Sequence, residues 1–319
     1  MKSFFATAVL FTAVAFGSQA KEEGTKIKSI GSDTMSHLLK NTAEAFKAKH
    51  PEVTVEIQDP GSSAGITAMI DGQSDLCPSS RPMKKEEYEK FAQAQRGGFK
   101  PIELRVALDG IVIYVHKDNP ISQISMDQIG RIFARNPQED ITDSKGKTFK
   151  ALGPKIKTWG ELDPNLPAEW KDQKITMYSR NAASGTYSFF KEHVLNSHDY
   201  DENAQEMGGT SHVVNGVAKD KFAIGYGGIG YKTQEVRLLP VAPKQGEPAV
   251  APTTESVVQK KYPISRALQI YIPRPPKGVV KEYLAFILSK EGQEIVSSEK
   301  VGFVSPPADF LSKEMEKLK

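Results

Sequence analysis

The chain has 319 residues, 42 Lys+Arg against 39 Asp+Glu, a formal net charge of +3, and one cysteine. So even a balance excludes recognition of nucleic acid or of an anionic membrane through overall charge, but it leaves room for a small anion held by local geometry. A single cysteine, Cys77, excludes an internal disulfide, so the size of the core has to supply stability.

The first twenty residues carry Lys2, a largely apolar run at 4–16, and small residues ending Ser18-Gln19-Ala20. That layout is a cleavable secretory leader, too short to cross a bilayer comfortably, with cleavage expected after Ala20. No cysteine follows the run, so a lipid-anchored N-terminus is not supported, and loss of Lys2 takes the net charge from +3 to +2. Roughly 300 residues remain, enough for two domains. No later stretch has the length and apolarity of a membrane span.

"TKIKSIGS" reads as a short strand entering a glycine turn. Met35, Leu38, Leu39, Ala43 and Phe46 then recur at helical spacing until Pro51 ends the helix. "VTVEIQDPG" alternates as a strand, "SSAGITAMIDG" enters a short helix, and Leu76-Cys77 form an apolar step. "SMDQIGRIFA" is a further helix start in the middle of the chain. Two apolar β-rich runs, "LDGIVIYVHKDNP" and "RALQIYIPRP", are long enough to cross between two lobes. The Pro/Gly cluster at 239–253 reads as a loop or linker, and "DPNLPAEWKDQ" as a loop anchored by Trp159 and Trp170. Strand–helix alternation of this kind argues for an α/β architecture whose binding surface lies at the strand ends.

Four turns at strand-to-helix junctions share one chemistry. "IGSDTMS" (30–36), "DPGSSAGIT" (59–67), "SDLCPSSRPM" (74–83) and "SRNAASGTYSFF" (179–190) each bring hydroxyls to a helix or loop start, three of them beside glycine and two beside arginine. Each turn alone is explained by capping, in which Ser184 or Thr186 would satisfy first-turn amides and Arg180 would be an exposed side chain. Together they also describe an oxyanion site: hydroxyls and free amides supply donors without net charge, and an arginine adds a two-pronged clamp. Dehydrating such an ion is costly unless nearly every oxygen finds a donor.

These residues, in this order, resemble the periplasmic phosphate-binding proteins of phosphate-specific ABC transporters over about residues 26–307. The resemblance rests on R-x-x-x-S-G-T at Arg180–Thr186, the G-S-S-x-G turn at 61–65, the G-x-x-T turn ending at Thr34, "DGIVIYVHKDNP", "NGVAKDKFAIGYGGIGY", "YPISRALQIYI" and the "LSKEGQEIV…VGFVSPP" tail. It implies a two-lobed class II periplasmic-binding fold, each lobe a mixed sheet flanked by helices, with two crossover strands at the hinge. Residues 21–112 and 266–319 would form lobe 1, and 113–265 lobe 2. Carried over, Thr34, the Met35 amide, Ser62, Ser80 and Arg81 would bind phosphate from the first lobe. Arg180, Ser184, the Gly185 amide and Thr186 would bind it from the second. The resemblance also implies a monomeric, non-enzymatic periplasmic protein that delivers phosphate to membrane ABC permease subunits, with no cofactor, metal or nucleic acid.

The chain departs from the family at one point, where Ser80 stands at the position of an aspartate that accepts the proton of hydrogen phosphate. Discrimination against sulfate or arsenate is therefore left open, with Asp33 and Asp109 as alternative acceptors. Arg81 would either favour a more highly charged ion or pair with a surface carboxylate. A competing enzyme reading takes Gly61–Gly65 as G-x-S-x-G with Ser63 as the nucleophile of a secreted serine hydrolase, served by His193, His198 or His212. The six histidines contain no H-x-x-x-H pair, which argues against a metal site.

Overall fold

The computed structural model describes residues 25–94 and 100–319, so the leader expected at 1–20 lies outside the described residues. Strand β1 (Thr25–Ile30) passes through a 3-10 turn at Asp33–Met35 into α1 (Ser36–Lys49) and returns as β2 (Val53–Gln58), parallel to β1. The apolar stripe lies where its spacing puts it, with Met35, Leu38, Leu39 and Phe46 buried and Ala43 half-buried. Helix α2 (Ser62–Ile70), strand β3 (Cys77–Ser79) and α3 (Lys85–Ala94) complete the first run, and Ser29 bridges to Leu76 in parallel.

Strand β4 (Ile102–His116) is the spine of the molecule. Its first half, to Gly110, pairs antiparallel with β9 (Ser265–Ile272), which also pairs with β3. From Ile111 its partners become β7 (Ala223–Gly228) and β8 (Val236–Leu239). Beyond β7 lie β5 (Thr176–Arg180) and β6 (Gln205–Met207), both parallel, giving the order β3-β9-β4-β7-β5-β6. One continuous strand thus belongs to two sheet regions, and the chain is a two-lobed α/β protein. The return crossing precedes β9, where the Ile111 amide donates to the Ile264 carbonyl at 2.8 Å. The change of partner between Gly110 and Ile111 falls two residues before the division expected at 112/113.

Ile111 to Val115 are fully buried, as expected of a strand covered on both faces. In the first lobe α1, α7 (Gly278–Leu288) and α8 (Lys290–Val296) cover the sheet through Leu39, Phe46, Tyr283 and Leu284, and α9 (Ala308–Glu316) packs beside β4. In the second lobe α4 (Met126–Phe133), α5 (Gly185–His193) and α6 (Thr210–Lys219) do the same through Phe133, Phe190 and Val217. Fully burying each such side chain stabilises the fold by about 1.5–3 kcal/mol before entropy is counted. Two expected loops are more ordered than their composition suggested. Within 239–253, Val241–Ala242 pair with Ile124–Ser125. Within 163–173 the helical turn Ala168–Lys171 buries Trp170 edge-to-face on Trp159, with ring centroids 6.1 Å apart.

Candidate ligand-binding site

The four hydroxyl-bearing turns converge where the two lobes meet. Arg180 ends β5 and is 1% exposed. Its Nη2 donates to Asp33 Oδ1 at 2.6 Å and its Nη1 to Thr210 Oγ1 at 2.9 Å, while Asp33 Oδ2 accepts from the Thr210 amide at 3.1 Å. A guanidinium carries five N–H donors, and these contacts use two of them. Nε is buried and has no partner among the described residues; the same holds for the hydroxyl of Ser32, next to Asp33. The alternative reading of Arg180 as an exposed side chain is therefore excluded.

Two hydroxyl pairs form where the turns converge. Thr34 Oγ1 and Thr186 Oγ1 lie 2.8 Å apart across the lobes, and Ser62 Oγ and Ser80 Oγ lie 3.2 Å apart within the first. Ser62 Oγ also accepts from the Ser80 amide at 3.1 Å. The first turn of α5 closes onto them: a Cβ at Gly185 would strike Ser62 Oγ and come within 2.7 Å of Ser80 Oγ, so only glycine admits this approach. Gly61, at φ +114°, lets the facing turn run against Ala183, and the next amide but one, Ser63, donates to the Ala183 carbonyl at 3.1 Å. Ser184 caps α5, its Oγ accepting from the amides of Thr186 and Tyr187. The capping and anion readings of this turn are thus compatible. Ser184 satisfies two amides, and Gly185 lies against the serine hydroxyls at the helix N-terminus, where the dipole favours an anion.

Arg81 points elsewhere. Its guanidinium forks onto Glu87 at 2.6 and 2.8 Å and donates to Ser63 Oγ at 3.0 Å, so the carboxylate-pairing alternative describes it. The Met35 amide donates to the Ser32 carbonyl at 3.2 Å in the 3-10 turn. Thr34, Ser62, Ser80, Arg180, Ser184, Gly185 and Thr186 come together; the Arg81 side chain does not join them.

Two residues of the cluster, Arg266 and Thr210, were not singled out from the sequence; Asp109, named there as an alternative proton acceptor, is held by Arg266. Arg266 stands directly across from Asp109 in the β9–β4 register. Its Nε and Nη2 reach Asp109 Oδ2 at 2.9 and 2.8 Å, Nη1 reaches the Ser80 carbonyl at 2.7 Å, and Nη2 also reaches Thr186 Oγ1 at 2.9 Å. The available signal was parity: Arg266 shares a strand face with Leu268 and Ile270, and Asp109 with Ala107 and Ile111, so each puts a charge on an apolar face. Burial raises the Asp109 carboxyl and lowers the Arg266 guanidinium, each opposed by the other's charge. Two arginines and two aspartates bring the cage side chains to formal neutrality, leaving hydroxyl and amide dipoles to receive an added ion.

The constellation has no nucleophile–base couple. Ser63 Oγ accepts from Arg81, whereas His193 Nδ1 meets the Phe189 carbonyl and both ring nitrogens of His198 meet backbone carbonyls. Among the described residues no group of three His, Cys, Asp or Glu side chains could hold a metal. Burial pushes the Cys77 thiol well up, away from reactive thiolate character.

Two lobes sharing a spine strand, with a donor-lined cage between them, define a two-lobed ligand-binding protein. The chain belongs to the PBP superfamily, whose domain profile matches residues 18–291. It is 34% identical over 317 residues to the phosphate-binding protein PstS of Pseudomonas aeruginosa, covering 98% of this chain and 93% of that one. The corresponding protein of Staphylococcus haemolyticus is 29% identical over 302 residues, covering 92% and 84%. A solved structure with bound phosphate from Clostridium perfringens, described as a phosphate ABC transporter substrate-binding protein, superposes with a TM-score of 0.70 at 29% identity. It covers 89% of this chain and 100% of that chain.

Proposed function

We propose that this protein binds inorganic phosphate between its lobes and delivers it to a membrane ABC permease. The observation that carries the reading is Arg180, buried between Asp33 of the first lobe and Thr210 of the second, with three N–H donors unused among the described residues, Nε among them. A buried guanidinium with unused donors favours a bidentate oxyanion contact. In this reading Thr34, Ser62 and Ser80 donate from the first lobe, and Arg180, the Gly185 amide and Thr186 from the second. Ser184 acts by holding the helix start, and the Met35 turn supports Thr34.

Asp33 is the carboxylate we assign to the proton of hydrogen phosphate, since it sits on the same guanidinium and next to Thr34. The lobes divide near 112/113 and 265/266 and turn about the partner switch of β4. Export through the leader, with cleavage after Ala20, places a monomer outside the cytoplasmic membrane. No helix among the described residues is long and apolar enough to span that membrane.

Calorimetric titration with phosphate, sulfate and arsenate tests the proposal. Saturable one-to-one phosphate binding is expected, with sulfate much weaker. Sulfate binding as tight as phosphate would remove Asp33 from its assigned role, and no phosphate binding would end the reading.

A further inference from the structure

The two arginines of the cage differ in how many donors they have already used. Arg180 has used two of five, whereas Arg266 has used four: one from Nε, one from Nη1 and two from Nη2. Arg266 is therefore not available to clasp an ion as Arg180 is, and its position needs another explanation.

A guanidinium only donates, so Thr186 Oγ1 must accept from Arg266 and one of its lone pairs is occupied. Thr186 and Thr34 share a second hydrogen bond at 2.8 Å whose direction can run either way. If Thr186 donates, the Thr34 O–H is left over. If Thr34 donates, both lone pairs of Thr186 are filled and its own O–H is left over. In both cases one proton remains to face outward, and the adjacent positive charge strengthens its donation along the chain. Without Arg266, Thr186 could turn a lone pair toward the cage, which would repel an anion. The same guanidinium holds the Ser80 carbonyl, and so the neighbouring hydroxyl pair. It also lies 5.6 Å from the centroid of Phe189, three residues along α5 from Thr186. Asp109, directly opposite, keeps it charged and fixed in the plane.

We propose that Arg266 is a positioning residue that, through Thr186, sets the Thr186–Thr34 hydroxyl pair as a proton donor toward the bound anion. It acts from the first lobe on the helix start of the second, so donor orientation is completed only when the lobes are closed. This inference rests on the phosphate reading above.

The test is a thermodynamic cycle of Arg266→Lys, Thr186→Val and the double variant, each titrated calorimetrically with phosphate and melted without it. Lysine keeps the charge opposite Asp109, but its single ammonium cannot serve Asp109, Ser80 and Thr186 in one fork. Each single variant is expected to lose about tenfold or more in phosphate affinity. The double variant should be no weaker than the weaker single within about threefold, because both changes remove one linked interaction. Losses that multiply in the double variant overturn the inference, since a purely structural arginine would act independently of Thr186. If Arg266→Lys melts early, Arg266→Gln with Asp109→Asn, which removes both charges together, replaces it in the cycle. Wild-type protein that takes no phosphate overturns the reading and the inference together; wild-type binding with multiplying losses overturns the inference alone.

Discussion

Arg180 and Asp33, 147 residues apart in sequence, meet at 2.6 Å in a buried ion pair that joins the two lobes. Removing one member of such a pair leaves the other charge buried, and the cost falls on whatever the pair organises. Arg180→Ala is accordingly expected to cost about 2–5 kcal/mol of phosphate affinity, both by losing its own donors and by leaving Asp33 facing the anion. Calorimetry decides it, and an unchanged dissociation constant would take Arg180 out of the site. Arg180→Lys should recover only part of the loss, because a point charge cannot reproduce the fork.

Gly185→Ala tests the closeness of the lobes. The added methyl would strike hydroxyls of Ser62 and Ser80, which belong to the opposite lobe, so the clash exists only when the lobes are together. Overpacking of this kind costs about 1–3 kcal/mol. Phosphate affinity should fall accordingly, while the melting temperature without phosphate stays near that of the unsubstituted protein. A variant that melts early without phosphate and binds normally would contradict this geometry.

Ser80→Asp probes anion selectivity. Ser80 is fully buried, with its hydroxyl beside Ser62 and its carbonyl on Arg266. A carboxylate there can accept a hydrogen bond from the P–OH of hydrogen phosphate but meets only repulsion from sulfate. The ratio of phosphate to sulfate affinity should rise, as read from paired titrations. Weaker phosphate binding with no gain in that ratio would show that position 80 does not face the ion.

The Arg81–Glu87 pair makes a prediction about acid stability rather than binding. Burial raises the Glu87 carboxyl, but hydrogen bonds from Arg81 and the Lys84 amide, with the charges of both residues, outweigh it and hold it below its ordinary value. A carboxylate depressed in the folded state stabilises above its unfolded value of about 4.3 and loses that contribution as pH falls through the folded value. The melting-temperature gap between the unsubstituted protein and Glu87→Gln should thus be widest near neutrality and narrow below about pH 4. A gap constant across that range would mean Glu87 is not held as an ion by Arg81.

The helices and strands that frame the site were legible because their signals are local. The spacing of Leu38, Leu39 and Phe46 needs only a helix's own periodicity, and the run from Ile111 to Val115 needs only burial on both faces. The hydroxyls of Thr34, Ser62, Ser80 and Thr186 were legible for a related reason, because each sits in a turn whose hydroxyl chemistry, beside glycine in all but the Ser80 turn, is written in a few adjacent residues. Arg81 shows the limit of that approach. It stands next to Ser80 in sequence, yet Glu87, on the following helix, draws its guanidinium away from the cage. Sequence adjacency gives a side chain's neighbourhood but not the direction it takes.

By itself the sequence determined the alternation of strands and helices, the four donor-bearing turns, and an even charge balance suited to a small anion held by dipoles. Each of these depends on residues within a turn or two of one another. Tertiary structure alone decided that Arg180 pairs with Asp33, that Arg266 lies across from Asp109, and that Gly185 closes onto Ser62 and Ser80. Strand register and lobe contact fix those meetings, and the energy of a buried charge depends on the partner that the fold brings to it.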